Sequence, residues 1–214
     1  MKTKEKIVYV VDDDMGIREA ISELLDSHGI ASQSFRSAGE YMEATKPDLP
    51  GCLILDVELP DRNGLEFQKQ IAEEDHPPIV FITGHGDIPS SVRAMKLGAV
   101  DFLTKPFSDL ALITSVEHAI AKDREARNAR SERAALLERY EKLTPRERDV
   151  LPLVVGGLLN KQAAAQLGIS EVTLQVHRRN VLQKMGAPSV ADLVRTAEKL
   201  RIPLTHSRKP GDKQ

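Results

Sequence analysis

Two periodicities of apolar residues divide the first half of the chain into alternating segments. Helical spacing, in which apolar residues recur every three or four positions, is found at 15–29, 37–45, 63–75 and 87–99. Short strand-like runs stand between these segments, at 6–11, 30–35, 52–57, 78–83 and 100–107. The regular succession of strand and helix predicts an α/β doubly wound fold, with a five-stranded parallel sheet and helices on both faces.

The second half of the chain is predicted to be entirely helical. After Ser108 a mostly charged segment up to residue 141 predicts a long exposed helix or a semi-rigid linker. Thr144, Pro145 and Glu147 then form a helix-start signature, because a Thr cap, an early proline and a later Glu suit the free N–H groups of a first turn. Four short helices are predicted beyond it, at about 145–156, 160–167, 171–185 and 189–200.

The composition fits two small domains. The chain has 214 residues, of which 41% are hydrophobic and 29% are charged, as is ordinary for a globular protein. We therefore expect an α/β domain at 1–125, a helical linker at 108–141 that overlaps its last helix, an all-α four-helix domain at 142–203 and a disordered tail at 204–214. One Cys and an N-terminus unlike a signal peptide favour a reducing, cytoplasmic setting, and no apolar run reaches the roughly 20 residues of a membrane span.

Charge is distributed unevenly along the chain. Residues 140–214 hold 13 Lys and Arg against 7 Asp and Glu, a net charge of +6, whereas residues 1–139 hold 17 against 25, a net charge of −8. An acidic N-terminal part and a basic C-terminal part indicate that the two parts have different functions. The basic part is a candidate for binding nucleic acid.

Polar side chains follow four of the five predicted strands directly. Asp12 to Asp14 follow the first strand, Asp56 ends the third, Thr83 ends the fourth and Lys105 follows the fifth. Because ligands bind at the carboxyl ends of the strands in an open parallel sheet, these groups are expected to converge on one edge. A sheet does not need such residues for its stability.

Converging carboxylates repel one another, and a hard divalent cation such as Mg²⁺ removes the repulsion. A metal, an amine and a hydroxyl together suit phosphoryl transfer, since they neutralise and orient the transferring oxygens. The nucleophile in such a site is then a carboxylate, because no Ser, Cys or His stands at a predicted strand end. An aspartate can form an acyl phosphate.

The motifs "VVDDD", "LILDVELPDRNGLEF", "FITGHGD" and "DFLTKPF" resemble the receiver domain of two-component response regulators, over about residues 5–125. The resemblance implies that Asp56 is phosphorylated by a sensor histidine kinase. It implies a Mg²⁺ site in which Asp13 is a direct ligand, Asp12 acts through water, Asp56 contributes an oxygen and Glu58 offers its backbone carbonyl. It further implies a switch hydroxyl at Thr83, a phosphate-binding amine at Lys105 with a cis peptide bond to Pro106, and a switch aromatic at Phe102.

Two other phosphate-handling classes fit parts of this pattern. An apolar strand that ends in Asp is also found in P-loop NTPases, but the sequence has no G-x-x-x-x-G-K-[ST] motif. Phosphatases of the haloacid-dehalogenase type carry D-x-D on their first strand, whereas here Glu58 follows Asp56 on the third. In receiver domains the side chains at Glu58 and His85 flank the path of the attacking water, and the sequence leaves open how they affect the lifetime of the acyl phosphate.

The basic part has the layout of a helix-turn-helix. A short helix from Lys161 is broken by Gly168, and Ser170 caps a second helix from Glu171. We interpret Val172, Val176, Val181, Leu182 and Met185 as the buried side of this second helix. Outward side chains at Gln175, Arg178, Arg179 and Gln183 could reach base edges in a major groove. Phosphate contacts are predicted for Lys161, Thr173, His177 and Lys184.

"LTPRERDVL", "GLLNKQAAAQLGIS", "VTLQVHRRNVLQKMG" and "ADLVRTAE" resemble the four-helix DNA-binding domain of LuxR-type regulators, over about 142–203. Gln175 stands where many members have Lys and Leu174 where Val is usual, which weakens the transfer of any particular base contact. The whole chain resembles response regulators of the FixJ/NarL class. The resemblance implies that it is not an enzyme, apart from its own slow self-catalysed phosphorylation and dephosphorylation. Expected partners are a histidine kinase, promoter DNA, RNA polymerase and, on phosphorylation, a second copy of the chain. The alternative is a receiver whose C-terminal helices bind a protein instead of DNA.

In that family the helix at 87–97 and the strand at 100–104 pair two receivers after phosphorylation. Here that face carries a small apolar centre flanked by opposite charges. Its members are Val92, Met95, Lys96 and Asp101. A two-fold pairing would allow Lys96 of one chain to meet Asp101 of the other.

Overall fold

The computed structural model describes residues 5–84, 86 and 88–203. The chain forms two compact units, one up to Asn128 and one from Ala129 onwards. The predictions for His85 and for the tail at 204–214 lie outside the described residues. Among the residues that are described, none of the helices is long and apolar enough to cross a membrane.

The first unit is the predicted doubly wound domain. Its five parallel strands lie in the order β2-β1-β3-β4-β5, with bounds Ile7–Val11 (β1), Ala31–Phe35 (β2), Gly51–Asp56 (β3), Ile79–Thr83 (β4) and Asp101–Thr104 (β5). The helices between them are Met15–Ser27 (α1), Ala38–Glu43 (α2), Gly64–Gln70 (α3) and Ile88–Lys96 (α4). Helix α3 is shorter than the apolar pattern predicts, because the chain turns at Ile71 and buries that side chain.

The sheet separates two apolar layers. One layer is rich in aromatic side chains, among them Tyr9, Phe35, Tyr41, Phe67 and Phe81. The other is aliphatic and packs strand residues such as Val10 and Ile54 against α1 and against the helix that follows β5. Successive residues of a strand point to opposite faces, so every residue of β1, β3 and β4 is buried, as the uninterrupted apolar runs predict.

Helix α5 is a single helix from Asp109 to Glu141. Its charged middle is largely exposed, as the sequence predicts, but Asp123 is buried. The Asp123 carboxylate accepts hydrogen bonds from the backbone N–H of Gly51 at 2.8 Å and from Nε of Arg127 at 2.8 Å. Arg127 also contacts Asp48. The charge pattern of the sequence does not reveal this contact between α5 and the beginning of β3.

The second unit is the predicted all-α domain. Its helices are Pro145–Val155 (α6), Asn160–Leu167 (α7), Glu171–Met185 (α8) and Val190–Lys199 (α9). The capping box is present, since the Thr144 N–H donates to Glu147 Oε2 at 2.8 Å and the Glu147 N–H donates to Thr144 Oγ1 at 3.3 Å. Gly168 and Gly186 end α7 and α8 with left-handed backbone angles, φ +66° and +64°.

The last part of α5 belongs to this second unit and lies in the segment 108–141, for which the sequence predicts a long helix or a semi-rigid linker. Arg139 Nη1 donates to the carbonyl of Met185 at 3.4 Å, and Lys199 Nζ lies 2.5 Å from Glu132 Oε1. Leu136 is buried as well. These contacts pack the last part of α5, residues 129–141, against the four-helix domain.

Candidate functional site

Three carboxylates meet at the carboxyl edge of the sheet. Ligand oxygens of Asp12, Asp13 and Asp56 all lie within 4.8 Å of one another. Strands β1 and β3 are direct neighbours with Val11 opposite Leu55, so the residues that follow them emerge side by side. Asp12 and Asp56 are buried and Asp13 is exposed. The convergence expected from the sequence is therefore found.

Lys105 joins the two buried acids of this cluster. Its Nζ lies 2.6 Å from Asp12 Oδ2 and 2.7 Å from Asp56 Oδ2. The Lys105 N–H donates to the carbonyl of Thr83 at 2.7 Å, which holds the end of β5 beside the end of β4. The Lys105–Pro106 peptide bond is cis, as predicted.

Burial and ion pairing act against each other in this pocket. Burial opposes the charge on Lys105, but the hydrogen bonds to Asp12 and Asp56 outweigh it and raise the pKa of the ammonium. Burial raises the pKa of the Asp12 carboxyl, and the hydrogen bond from Lys105 works against that rise. An ammonium that stays charged is thus fixed between two acids that repel each other.

Backbone N–H groups bind the remaining oxygens of the buried acids. Asp12 Oδ1 accepts from the N–H of Asp14 at 2.9 Å, and Asp56 Oδ1 accepts from the N–H of Glu58 at 3.1 Å. The Glu58 side chain is exposed, and its backbone forms an isolated antiparallel bridge with Asn63. The exposed carboxylate of Asp13 is the one that faces solvent most freely.

Three residues that support the pocket were not predicted from the sequence. Arg18 Nη1 donates to the backbone carbonyls of Asp12 at 2.8 Å and Asp13 at 2.9 Å. Gly64 packs so closely under the pocket that a Cβ there would lie 2.3 Å from the carbonyl oxygen of Asp56. Asp61 accepts from the N–H of Gly39 at 3.0 Å and so fixes the loop after β3 to the start of α2. The glycine after Asn63 was the available signal for a close approach, and the other two have no local signature.

The predicted switch residues lie on β4 and β5, the two strands beside β3 on one side of the sheet. Thr83 is fully buried at the end of β4. Phe102 is half-buried on β5, opposite Phe81 in the strand register, and the two ring centroids are 6.0 Å apart.

The face of α4 and β5 that is predicted to pair two receivers agrees with the prediction only in part. Val92 and Met95 are 46% and 47% exposed, and Lys96 is exposed beside them. Asp101 differs from the expectation, because its carboxylate accepts hydrogen bonds from Ser115 Oγ at 2.5 Å and from the Phe102 N–H at 2.8 Å. Its charge is therefore already engaged within the chain.

On helix α8 the exposed face differs from the one predicted. Gln175 and Arg179 are exposed as expected, but so are Val172 and Val176, at 71% and 54%. The apolar pattern of the sequence predicts both valines to be buried, and this prediction is wrong. The true buried side has Leu174, Val181 and Met185. Positions 172, 176, 179 and 183 are separated by three or four residues, so helix geometry places the valines beside Arg179.

Three other residues that are predicted to contact DNA are bonded to or enclosed by other residues of the domain. Arg178 Nη1 donates to Asn160 Oδ1 at 2.7 Å, between α8 and the start of α7. His177 Nδ1 is enclosed and lacks a hydrogen-bond partner in the described part of the chain. Lys184 Nζ lies 2.6 Å from Oε2 of the buried Glu147. Lys161 and Thr173 are exposed.

The Lys184–Glu147 pair joins α8 to the capped start of α6. Burial opposes the charge on Glu147, but the hydrogen bonds from Lys184 and Thr144 are stronger and lower the pKa of the carboxyl. The Lys184 ammonium thus balances a buried charge. The phosphate contact of Lys184 stays a prediction. In the structure its ammonium is paired with Glu147, and leaving that acid unpaired would cost stability.

Both units match known families. Residues 8–117 match the family model described as "Response regulator receiver domain", and residues 141–197 match "Bacterial regulatory proteins, luxR family". The chain belongs to the two-component response regulators that join a receiver domain to a LuxR-type DNA-binding domain. It is a DNA-binding regulator of transcription, which sets aside the alternative of a module that binds only protein.

Similar proteins cover nearly the whole chain. Nodulation protein W of Bradyrhizobium diazoefficiens is 48% identical over 202 residues, which are 94% of this chain and 89% of that protein. Transcriptional regulatory protein FixJ of Azorhizobium caulinodans is 43% identical, over 89% of this chain and 90% of that protein. Among solved structures, the response regulator StyR has a TM-score of 0.80 at 46% identity, covering 91% of this chain and 99% of that one. Full-length FixJ from B. japonicum has a TM-score of 0.56 at 39% identity, covering 94% and 99%.

Proposed function

We propose that Asp56 accepts a phosphoryl group from a sensor histidine kinase, and that this modification controls DNA binding by the second unit. The observation that supports the proposal most directly is the position of Lys105, 2.7 Å from Asp56 Oδ2. An ammonium there can neutralise an oxygen of the transferred group. Asp56 acts as a nucleophile once per phosphorylation and is regenerated slowly by hydrolysis, so the chain is a regulator and not a turnover enzyme.

The donor set suits Mg²⁺. Asp13, Asp12 and Asp56 provide carboxylate oxygens, and Glu58 provides a backbone carbonyl, all hard ligands of the kind that Mg²⁺ prefers. We propose direct coordination by Asp13, whose carboxylate is exposed, and by Asp56, and a role through water for Asp12. When bound, the cation supplies charge neutralisation for phosphoryl transfer.

Phosphorylation adds a charge of about −1.5 to −2 at Asp56. Lys105 would be drawn from Asp12 toward the new oxygens, and the Thr83 hydroxyl would turn toward them. Phe102 is already half-buried beside Phe81, so a movement of Thr83 gives its ring space to turn inward. Such a rearrangement reaches α4 and β5 first, because both follow Thr83 directly in the chain.

The exposed face of α8 is the proposed reading surface for promoter DNA. Gln175 and Arg179 offer hydrogen bonds to base edges, and Val172 and Val176 offer methyl groups suited to contact with thymine. Lys161 and Thr173 remain the proposed phosphate contacts, with His177 able to donate only from Nε2 because Nδ1 is enclosed. Arg178 is assigned to holding α7 against α8 through Asn160.

Three further proposals concern partners and location. We propose that the exposed apolar centre at Val92 and Met95 joins two phosphorylated chains, so that two α8 helices bind half-sites about one helical turn apart. RNA polymerase is the proposed partner at the promoter. Since the target is promoter DNA and the phosphate donor is a kinase, we place the protein in the cytoplasm.

Footprinting on the DNA upstream of its own gene tests the proposed function. The protein is treated with acetyl phosphate and Mg²⁺, and Asp56→Asn is compared with Asp61→Asn. Asp61 lies outside the carboxylate cluster, and the amide oxygen introduced there can still accept the hydrogen bond from the Gly39 N–H. We expect phosphate labelling and a protected site with the Asp61 variant and with the unaltered protein, and neither with Asp56→Asn. Equal labelling of Asp56→Asn would show that the acceptor is another residue.

A further inference from the structure

One guanidinium nitrogen of Arg18 binds two consecutive backbone carbonyls of the acidic pocket. Nη1 lies 2.8 Å from the oxygen of Asp12 and 2.9 Å from that of Asp13. Arg18 itself is half-buried on the first turns of α1. The two residues that it holds are the same ones whose carboxylates converge with Asp56.

These two carbonyls lie between two hydrogen-bond ladders. The sheet ladder of β1 ends at Val11, and the helical ladder of α1 begins with the carbonyl of Asp14, which accepts from the Arg18 N–H at 3.1 Å. The Asp14 side chain caps α1 through the N–H of Gly16 at 2.7 Å. The carbonyls of Asp12 and Asp13 therefore take their donor from a side chain and not from secondary structure, whereas the Asp12 N–H donates to the carbonyl of Phe35 at 3.2 Å. Asp12 is buried, where a carbonyl without a donor costs stability.

Orientation of these peptide groups decides where the carboxylates stand. Three acids within 4.8 Å repel one another, and a loosely held loop would let the exposed Asp13 move away. Arg18 opposes this in two ways. It fixes two successive peptide planes from one atom, and it adds a positive charge that does not deprotonate.

We propose that Arg18 is a positioning residue for magnesium: it holds Asp12 and Asp13 converged before the cation arrives. The proposal rests on the Mg²⁺ site proposed above. Holding the ligands in place beforehand removes an ordering cost from binding, so the affinity for Mg²⁺ should depend on Arg18 although it touches no metal. Lys105 cannot replace it, because Lys105 contacts carboxylate oxygens and not the backbone of the loop.

The test is calorimetric titration of Mg²⁺ into three variants of the full chain. Arg18→Met keeps the aliphatic stem and removes the hydrogen-bond donors. Arg18→Lys keeps the positive charge but replaces the planar guanidinium by a single ammonium nitrogen. Arg36→Met is the matched control, since Arg36 follows β2 at the same edge of the sheet and its side chain is 81% exposed beside Glu40. We expect Arg18→Met to raise the Kd for Mg²⁺ about tenfold, Arg18→Lys to raise it less, and Arg36→Met to leave it within about twofold.

A second readout separates positioning from general stability. With acetyl phosphate as donor, the Mg²⁺ concentration for half-maximal phosphorylation should rise in Arg18→Met, while the limiting rate at saturating Mg²⁺ stays near that of the unaltered protein. A lower melting temperature with an unchanged Kd would overturn the proposal. If Arg18→Met does not fold, Arg18→Lys decides the question in the same way: a Kd equal to that of Arg36→Met overturns it.

Asp13→Asn shows which proposal has failed. A large loss of Mg²⁺ affinity in Asp13→Asn, together with an unchanged Kd in Arg18→Met, overturns only the role of Arg18. If Asp13→Asn binds Mg²⁺ as tightly as the unaltered protein, the metal site itself is wrong and the role of Arg18 falls with it.

Discussion

The ammonium of Lys105 lies 2.7 Å from the carboxylate of Asp56, although 49 residues separate the two in the chain. Their strands are not neighbours, because β4 runs between β3 and β5. The two side chains meet because parallel strands end at one edge of the sheet, and the chain leaves each strand there. The same edge therefore gathers the acids, the amine and the hydroxyl that phosphoryl transfer requires.

Gly64→Ala is expected to disturb the pocket from below. The added Cβ would lie 2.3 Å from the backbone oxygen of Asp56 and 3.1 Å from Cα of Val57, so the backbone must shift. Overpacking of this kind costs about 1–3 kcal/mol. We expect a lower free energy of unfolding in urea and slower phosphorylation by acetyl phosphate.

Gly39→Ala is the control for that change. A Cβ at Gly39 meets its nearest neighbour, Asp61 Oδ2, at 3.5 Å, and the residue lies within helix α2. Alanine there should leave stability equal or raise it by about 0.4–1 kcal/mol. Equal stability and equal phosphorylation rates in both variants would contradict the close approach at Gly64.

The Glu147–Lys184 pair should make the stability of the second unit depend on pH. The pKa of Glu147 is lowered in the folded state, so its contribution is fully present above the ordinary pKa of a glutamate, about 4.3, and is lost as the pH falls through the lowered pKa of the folded state. Glu147→Gln should cost about 1–3 kcal/mol at pH 7, toward the lower value because Lys184 can partly reach water.

Hydrogen exchange of the α6 amides measures this contribution within the second unit, since the two units need not unfold together. Stability of the unaltered protein is compared with that of Glu147→Gln at pH 7 and at pH 3.5. The difference between them should narrow as the pH falls. A difference of the same size at both pH values would show that the charge of Glu147 is not its source.

Arg179 and Lys161 should have different effects on DNA binding. Both side chains are exposed, with Arg179 on the reading face of α8 and Lys161 at the start of α7. Arg179→Ala should cost about 1–3 kcal/mol on the specific site and relax sequence preference, whereas Lys161→Ala should weaken specific and random DNA alike and reduce the salt slope by about one. Binding titrations at several salt concentrations measure both, and the reverse pattern would mean that α8 docks in another orientation.

Lys199→Ala serves as the control for the loss of a basic side chain. Lys199 is exposed on α9 and pairs with Glu132. We expect neither a change in sequence preference nor a change in the salt slope. Lys184→Met, in contrast, should lower stability first, because it leaves the buried Glu147 without its ammonium.

Val92→Glu should prevent the proposed pairing of receivers. Val92 stands in the exposed apolar centre of α4, and a carboxylate there would be buried by a second chain. Sedimentation velocity in the presence of acetyl phosphate should give a dimer for the unaltered protein and for Val172→Glu, an exposed valine of α8, but a monomer for Val92→Glu. A phosphorylated protein that is monomeric throughout, with tighter operator binding, would show that phosphorylation acts within one chain.

Asp101 changes one expectation about that pairing. Its carboxylate accepts a hydrogen bond from Ser115, so Lys96 of a second chain would meet a charge that is already engaged. An exposed ion pair contributes at most about 1 kcal/mol. We therefore expect Lys96→Glu to weaken the dimer less than Val92→Glu does.

The sequence by itself determined the elements and the pocket. Strand runs, helical spacing and the capping box at Thr144 depend on neighbours within a few residues, and those neighbours are visible in the sequence. The acids, Thr83 and Lys105 could be placed together because the order of elements implies a parallel sheet, and a parallel sheet has one carboxyl edge. The bounds of α6 to α9 agree with the predicted bounds within one residue at every end for the same reason.

Only the tertiary structure decided which partners the long charged side chains have. Arg18, Asp123 and Lys184 look alike in the sequence, as charged residues on helices, yet one binds backbone carbonyls, one is buried and one balances a buried acid. The valines of α8 show the same limit, because apolar character does not reveal which face of a helix its neighbours cover. These outcomes depend on distances between elements that are far apart in the chain, and such distances are fixed only when the elements pack together.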